Sequence, residues 1–325
     1  MTPFALEQAG DIAAALAAGR TGYRYIAGGT TLVDLMREGV ERPARLASIE
    51  KLPLREIDIV GGTLRIGALA RMSEVAAHEE VLAHQPLISQ ALLEGASPQL
   101  RNMASIGGNL LQRTRCSFFR MTDAACNKRS PGTGCAAVEG MHRNHAIFGT
   151  SAHCFATHAS DLAVALFALD TTVATREQEG ARAFPLEQLY RLPGETPHLE
   201  HTLRPGELIT HVTVPPNGFS GRTSYVKVRD RASYEFAVVS VAAALDLRDG
   251  RIEGVRLAAG GVGTVPWRLR AVEEELLGRP FEPQALQVAA RQANDGARPA
   301  RDNAFKLELL PRVVIRALEI AGGVA

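Results

Sequence analysis

Long apolar runs are missing from this 325-residue chain: a typical one, residues 161–174, is interrupted by Asp161 and Asp170 and is too short to cross a bilayer. Net charge is nearly absent too. With 36 Lys and Arg against 35 Asp and Glu, a formal +1 gives no global field to draw the protein to nucleic acid or an anionic membrane. Aromatics make up only 5% of residues, and no recognition helix or aromatic platform for nucleic acid stands out. The N-terminal stretch MTPFALEQAGDIAAALAAG lacks a basic n-region and carries Glu7 and Asp11, so no signal peptide is expected. Neither a Walker loop nor GxGxxG occurs, leaving nothing to support a nicotinamide dinucleotide site. No internal repeat or low-complexity tract appears. The 46% hydrophobic content is ample core for two or three domains.

Cysteine is rare but concentrated. All four cysteines, Cys116, Cys126, Cys135 and Cys154, lie within 39 consecutive residues, and four converging thiolates suit an iron-sulfur cluster or structural zinc. The gaps of nine, eight and eighteen residues differ from the close pairs of zinc ribbons, which argues mildly against zinc. An anionic cluster gains from nearby cations, and the segment carries Arg113, Arg115, Arg120, Lys128, Arg129 and Arg143, with His142, His145 and His153 as hydrogen-bond donors. Buried free thiols, disulfides and a solvated basic loop are the competing readings.

Apolar periodicity gives a helix over residues 6–18, a strand over 23–27, a helix over 32–38 and a strand over 46–49, a small α/β unit. IDIVGGTLRIGA at 57–68 reads as a hairpin turning at Gly61-Gly62. Helices follow over 73–83 and 86–94 and from about 160. After a stretch rich in Pro and Gly over 193–222, strands are expected over 225–229, 236–247 and 251–258, the last two joined at Asp249-Gly250. Helices around 271–277 and 309–320 should pack on one face of that sheet. Two glycine turns carry chemistry. In YIAGGTTLVDLM a strand enters Gly28-Gly29 and a helix begins at Thr30 and Thr31, where main-chain amides and hydroxyls favour an anion. In SPQLRNMASIGGNLL, Ser105 and Asn109 flank Gly107-Gly108. Either turn alone is common structural punctuation, and Ser160 and Asp161 are equally readable as a helix N-cap.

Taken together, AGGTTL, ASPQLRNMASIGGNL, HASDLAVAL and SYVKVRDR resemble the FAD-binding subunits of the xanthine dehydrogenase and molybdenum hydroxylase family over nearly the whole chain. CSFFRMTDAACNKRSPGTGC with HCFATH downstream is closer still to the flavoprotein subunits of bacterial periplasmic-type aldehyde oxidoreductases, where this insertion holds an additional 4Fe-4S cluster. The resemblance implies an α+β fold: a two-lobed FAD-binding domain of the vanillyl-alcohol-oxidase-like type, then an α/β C-terminal domain with an antiparallel sheet and helices on one face. Its lobes would span residues 1–56 and 57–221, the latter with the cluster loop at 112–156, and the last domain 222–325. It implies cofactor contacts from Ile26, Ala27, Gly28, Gly29, Thr30, Thr31 and Leu32, from Ser105, Ile106, Gly107, Gly108 and Asn109, and from Asp161, Ile209 and Lys227. Cluster ligands would be Cys116, Cys126, Cys135 and Cys154, and no residue is a catalytic acid or base. Where many relatives have Tyr-Arg, this chain has Phe305-Lys306, which bears on acceptor choice if that segment shapes the flavin edge.

Four cysteines fill one cubane and leave none for 2Fe-2S clusters, and 325 residues leave no room for a molybdopterin domain. The resemblance therefore implies partners: a 2Fe-2S subunit, a large molybdenum cofactor-binding catalytic subunit and an external electron acceptor, with no nucleic acid and no direct membrane insertion. Location is expected to be cytoplasmic, or periplasmic by co-export with a signal-bearing partner. The alternatives are the flavoprotein of a xanthine, purine or N-heterocycle dehydrogenase, and a zinc-stapled binding or scaffold protein.

Overall fold

The structure, a computed structural model, describes residues 1–219 and 221–324. Strand β1 (Ala5–Gln8), helix α1 (Ile12–Arg20), strand β2 (Arg24–Ile26), helix α2 (Leu32–Arg37) and strand β3 (Arg45–Ser48) build a first lobe around a parallel sheet of order β1-β3-β2. The helix expected over 6–18 is corrected: its first part is β1, which pairs with β3, and Asp11 caps α1 by accepting the Ala14 amide at 2.7 Å. A strand partner overrides helix propensity, and the Asp11 cap sets where the helix starts.

The second lobe runs through β4 (Ile57–Val60), β5 (Thr63–Gly67), α3 (Met72–Ala77), α4 (Glu79–His84), α5 (Pro86–Glu94), α6 (Pro98–Arg101), α7 (Ile106–Leu110), α8 (Ser117–Arg120), α9 (Asp161–Ala168), β6 (Thr172–Glu177), β7 (Gly180–Pro185) and β8 (Leu208–Val214). Its sheet is antiparallel, in the order β4-β5-β8-β6-β7. Gly61 and Gly62, at φ +57° and +81°, make the hairpin turn between β4 and β5. The single helix expected over 73–83 is two, because extended backbone at His78 ends α3, and the His78 ring then accepts the Glu80 amide at 3.3 Å to start α4. Strands β6, β7 and β8 are absent from the sequence reading; β8 lies inside the stretch rich in Pro and Gly.

The last region contributes β9 (Thr223–Val228), β10 (Val239–Arg248), β11 (Arg251–Gly260), β12 (Trp267–Arg268), α10 (Arg270–Leu276), α11 (Pro283–Ala290) and α12 (Lys306–Gly322), with an antiparallel sheet of order β12-β11-β10-β9. Side chains alternate between two cores. Val241, Ala243, Leu245 and Leu257 pack with Val313, Val314 and Ala317 of α12, whereas Tyr225, Ala242, Ala244 and Ala258 join the second-lobe core with α9. Two-sided burial explains why β10 reads as a nearly continuous apolar run. Gly260 lets α9 lie close on the sheet, since a Cβ there would come within 2.6 Å of Val164 Cγ2. Among the described residues no helix is long and apolar enough to cross a membrane.

Candidate cofactor cleft and cysteine centre

Strand β2 delivers the chain to Gly28 and Gly29, and Gly29 takes φ +71°, a left-handed conformation natural to glycine. Gly28 lies against the second turn so closely that a Cβ would sit 1.8 Å from the Met103 carbonyl oxygen. The Thr31 side chain makes no capping bond to α2, so its hydroxyl is not spent on the helix. Ser105 caps α7 by accepting the Gly108 amide at 3.3 Å.

These turns form the waist of one long cleft. On one side is a cavity of 500 Å³ whose walls include Ile26, Ala27, Leu32, Leu203, Ser105, Gly107 and Ile209. On the other is a cavity of 510 Å³ whose walls include Asn109, Arg115, Asp161, Lys227, Tyr234 and Phe236. Gly28, Gly29, Thr30, Thr31 and Gly108 line both. Glycine-rich main chain at a constriction suits a diphosphate, the mainly apolar end suits a flat base, and the other end offers charged and aromatic groups to a polar ring system. Of the sequence-derived residues only Ile106 lies off the cleft; its side chain is buried in the second-lobe core.

Asp161 and Lys227 come together there although 66 residues separate them. Ser160 is the N-cap of α9, its hydroxyl accepting the Ala163 amide at 2.9 Å and donating to Asn109 Oδ1 at 2.5 Å. That leaves the Asp161 carboxylate to accept from Tyr225 Oη at 2.7 Å and from Lys227 Nζ at 2.8 Å. The ammonium also donates to the Glu94 carbonyl at 3.0 Å. Burial pushes the Asp161 carboxyl upward and the Lys227 ammonium opposes that shift. Sequence reasoning missed the loop between β9 and β10, which brings Arg231, Tyr234 and Phe236 to the cleft. Its signal was two aromatics in an otherwise polar hairpin; Tyr234 sits at φ +53°, and the Arg115 guanidinium lies 4.8 Å from the Phe236 ring centre.

The four cysteines line a single small pocket of 10 Å³ together with Phe118, Lys128 and His145. All four are free thiols rather than disulfides, and His145 Nε2 lies 3.3 Å from Cys116 Sγ. Among the described residues no three His, Cys, Asp or Glu side chains converge as one metal ion requires; a cubane takes thiolates at separate corners, which are spaced more widely. Burial pushes the Cys116 thiol up to about 11 and those of Cys135 and Cys154 upward, although Lys128 opposes the rise at Cys154. Thiols so placed lose their protons when a cationic centre takes them up.

Of the six cations expected around the cysteines only Lys128 lines the pocket, a correction with a plain cause: four arginines are drawn to carboxylates outside it and Arg129 is taken up by main-chain carbonyls. Arg113 bonds Glu41 and Glu200, each at 2.5 Å; Arg115 bonds Asp34 at 3.2 Å; Arg120 bonds Asp34 at 2.5 Å and Glu38 at 2.6 Å; Arg143 bonds Asp230 at 2.7 Å. Arg129 donates to the Phe118 and Phe119 carbonyls at 2.9 and 2.7 Å. These pairs clasp the cysteine segment to α2 and to the β9–β10 loop. Phe305 and Lys306 do not reach the cleft. The Phe305 ring lies 4.8 Å from the Arg143 guanidinium, and Lys306 is fully buried, donating to the carbonyls of His145 at 2.9 Å and Gly261 at 2.6 Å.

His158 lies between the cleft and the cysteines, with its ring 4.6 Å from that of Tyr190, and burial pulls its pKa down to about 4. The unfolded chain binds one more proton than the folded one between that value and the ordinary 6.5, so stability is full above the window and falls as pH drops through it. The loss amounts to at most about 3 kcal/mol. In His158→Gln the slope of unfolding free energy against pH over this window should fall by one proton, as urea titrations at a series of pH values would read.

Comparison with known proteins settles the family. Residues 2–217 match the FAD binding domain in molybdopterin dehydrogenase, and residues 224–321 match the CO dehydrogenase flavoprotein C-terminal domain. The chain belongs to the FAD-binding subunits of the molybdenum hydroxylase family. This flavoprotein subunit is 47% identical to the aldehyde oxidoreductase FAD-binding subunit PaoB of Escherichia coli over 94% of this chain and 93% of that protein. It is 27% identical to the glyceraldehyde dehydrogenase medium chain of Sulfolobus acidocaldarius over 88% of this chain and 84% of that one. The flavoprotein subunit also shares its fold with a chain of the carbon monoxide dehydrogenase of Hydrogenophaga pseudoflava, at TM-score 0.78 and 22% identity over 100% and 99% of the two chains. A chain of quinoline 2-oxidoreductase from Pseudomonas putida superposes at TM-score 0.77 and 19% identity, over 99% and 98%.

Proposed function

We propose that this flavoprotein subunit is the electron outlet of a molybdenum-containing aldehyde oxidoreductase, holding FAD in the cleft and a 4Fe-4S cluster on Cys116, Cys126, Cys135 and Cys154. A small 2Fe-2S subunit and a large molybdenum subunit are the proposed partners, and a separate acceptor takes the electrons. The 47% identity to an aldehyde oxidoreductase subunit supports the substrate class. The observation that carries the cofactor reading is the cleft itself: two glycine turns at its waist, an apolar end, and an end with Asp161 and Lys227.

Bound there, FAD supplies the exchange between single-electron donors and a two-electron acceptor. The chain's own task is to bind and orient. Main-chain groups of residues 28–31 and 107–108 take the diphosphate, with the Thr31 hydroxyl as an added donor. Ile26, Ala27, Leu32 and Ile209 exclude water from the base end. Asp161, fixed by Tyr225 and Lys227, presents a charge of set position at the flavin end. At the second centre the four thiolates would be the metal ligands, and among the described residues Lys128 is the one Lys or Arg in the pocket wall.

A visible spectrum with metal and flavin analysis on anaerobically purified protein tests the reading. About four irons and one FAD per chain are expected; zinc without flavin would overturn it. Gly28→Ala offers a sharper check on the cleft. A methyl group cannot share space with the Met103 carbonyl, so the two turns must part, at a cost of about 1–3 kcal/mol. FAD should bind about tenfold or more weakly while far-UV circular dichroism stays unchanged, as titration of flavin-stripped protein would show.

A further inference from the structure

Lys306 stands alone among the cations of this chain. Among the described residues it is the one Lys or Arg whose residue is fully buried, at 0% exposure, and its ammonium meets no carboxylate: its acceptors are the backbone carbonyls of His145 and Gly261. The other cations of this part of the molecule have relief. Lys227 has Asp161, Lys128 has Glu200 at 3.0 Å, Arg143 has Asp230, and Arg129, which also bonds only carbonyls, is partly exposed to water. Burying a charge without a counter-charge is costly, and carbonyl dipoles offset only part of that cost.

The surroundings show where a counter-charge belongs. The residue whose carbonyl Lys306 holds, His145, places its ring nitrogen 3.3 Å from Cys116 Sγ. Asn303 secures the same turn, its amide donating to the carbonyls of His145 and Ala146 at 3.1 and 3.2 Å. So α12 and the residues just before it reach into the cysteine segment with an ammonium and an amide; the Asp302 carboxylate there is taken by Arg301 at 2.7 Å and by the His142 amide at 3.2 Å, and the cysteines form a site that becomes anionic when filled with iron and sulfide.

We infer that Lys306 is the buried counter-charge of the four-cysteine centre, a positioning residue that raises the reduction potential of a cluster held there by countering its negative charge. This rests on the cluster reading above. It needs no contact between the ammonium and a thiolate, only a positive charge behind the His145 turn in a region of low dielectric; burial, with a smaller push from Arg143, pulls this lysine down to about 7, and an anionic cluster would hold it protonated. It also accounts for a lysine where packing alone would favour an apolar side chain.

Lys306→Met keeps the length of the side chain and removes the charge; Lys306→Arg keeps the charge. In the full chain, purified anaerobically, iron content comes first: if the unaltered protein holds no iron, the cluster reading itself fails. With iron present, the cluster of Lys306→Met should be harder to reduce by about tenfold in its reduction equilibrium, about 59 mV for one electron, in a titration followed by electron paramagnetic resonance. Lys306→Arg should titrate like the unaltered chain. If both variants match it, or both lose iron alike, the charge is not what matters and the inference is overturned. Thermal melts with and without iron serve even where Lys306→Met loads poorly. A counter-charge predicts that this variant lowers the melting temperature of the iron-loaded chain and leaves the iron-free chain unchanged or more stable; a purely structural lysine destabilises both equally, which would equally overturn it.

Discussion

Under the proposed cluster reading, Cys154→Ser should empty the cysteine centre: iron is expected to fall from about four per chain to less than one, because a serine hydroxyl is a poor ligand for a centre that selects soft thiolates. The consequence extends beyond the metal. Between the end of α8 at Arg120 and the start of α9 at Asp161 no helix or longer strand forms, and so long an irregular segment needs something to order it. Its apolar support is uneven: Cys126 packs with Phe119 and Leu35 in a small separate core, whereas Ile147 and Phe148 are anchored in the core of the last sheet. Loss of metal should therefore open residues 121–145 to limited proteolysis and lower the melting temperature, while Ile147 and Phe148 hold the following turn in place. FAD content should fall by a smaller factor, through the Arg115 and Arg120 pairs to Asp34, since α2 begins at the cofactor turn. Retention of iron would remove Cys154 from the ligand set. Loss of iron with unchanged proteolysis and melting would show that the centre does not order the segment.

Asp161→Asn has the second large effect. The Lys227 side chain is 1% exposed, and without the carboxylate its ammonium keeps the Glu94 carbonyl as its close acceptor. Breaking a buried pair from one side costs about 3–5 kcal/mol, a fall of roughly 10 °C for a chain of this size. Pairing it with Lys227→Met should restore most of that stability, because the stranded charge is gone, while FAD binding stays weak in both. Melting curves for the single and double variants form a double-mutant cycle. A benign Asp161→Asn would mean that no charged pair exists there.

Much of this was legible because some chemistry is local. Gly61-Gly62 and Asp249-Gly250 announce turns by their need for positive φ, and Gly28-Gly29 and Gly107-Gly108 mark where the backbone comes close. Crowding of four cysteines is visible in the sequence and survives as one shared pocket. The rest depended on partners distant in the chain. Strand β8 pairs with β5, whose residues lie about 150 positions earlier, so nothing near residue 210 marks it as central. The arginines beside the cysteines looked like a field around a metal, yet Asp34, Glu38, Glu41 and Glu200 claim most of them. Charge composition cannot tell which acid folds back on which base. Nor does sequence mark Lys306 as buried, since α12 is long and half exposed.

The sheet of β9–β12 has one further consequence, for biogenesis. One of its faces completes a core begun by α5 and α9, and β9 supplies Lys227 to the cleft. A chain growing from its N-terminus exposes the apolar sides of α5 and α9 long before residues 223–260 leave the ribosome. Until then the nascent second lobe has no cover, and the cleft lacks a wall. Cofactor loading must therefore be post-translational, and a chain arrested near residue 220 should be found with chaperones rather than with flavin.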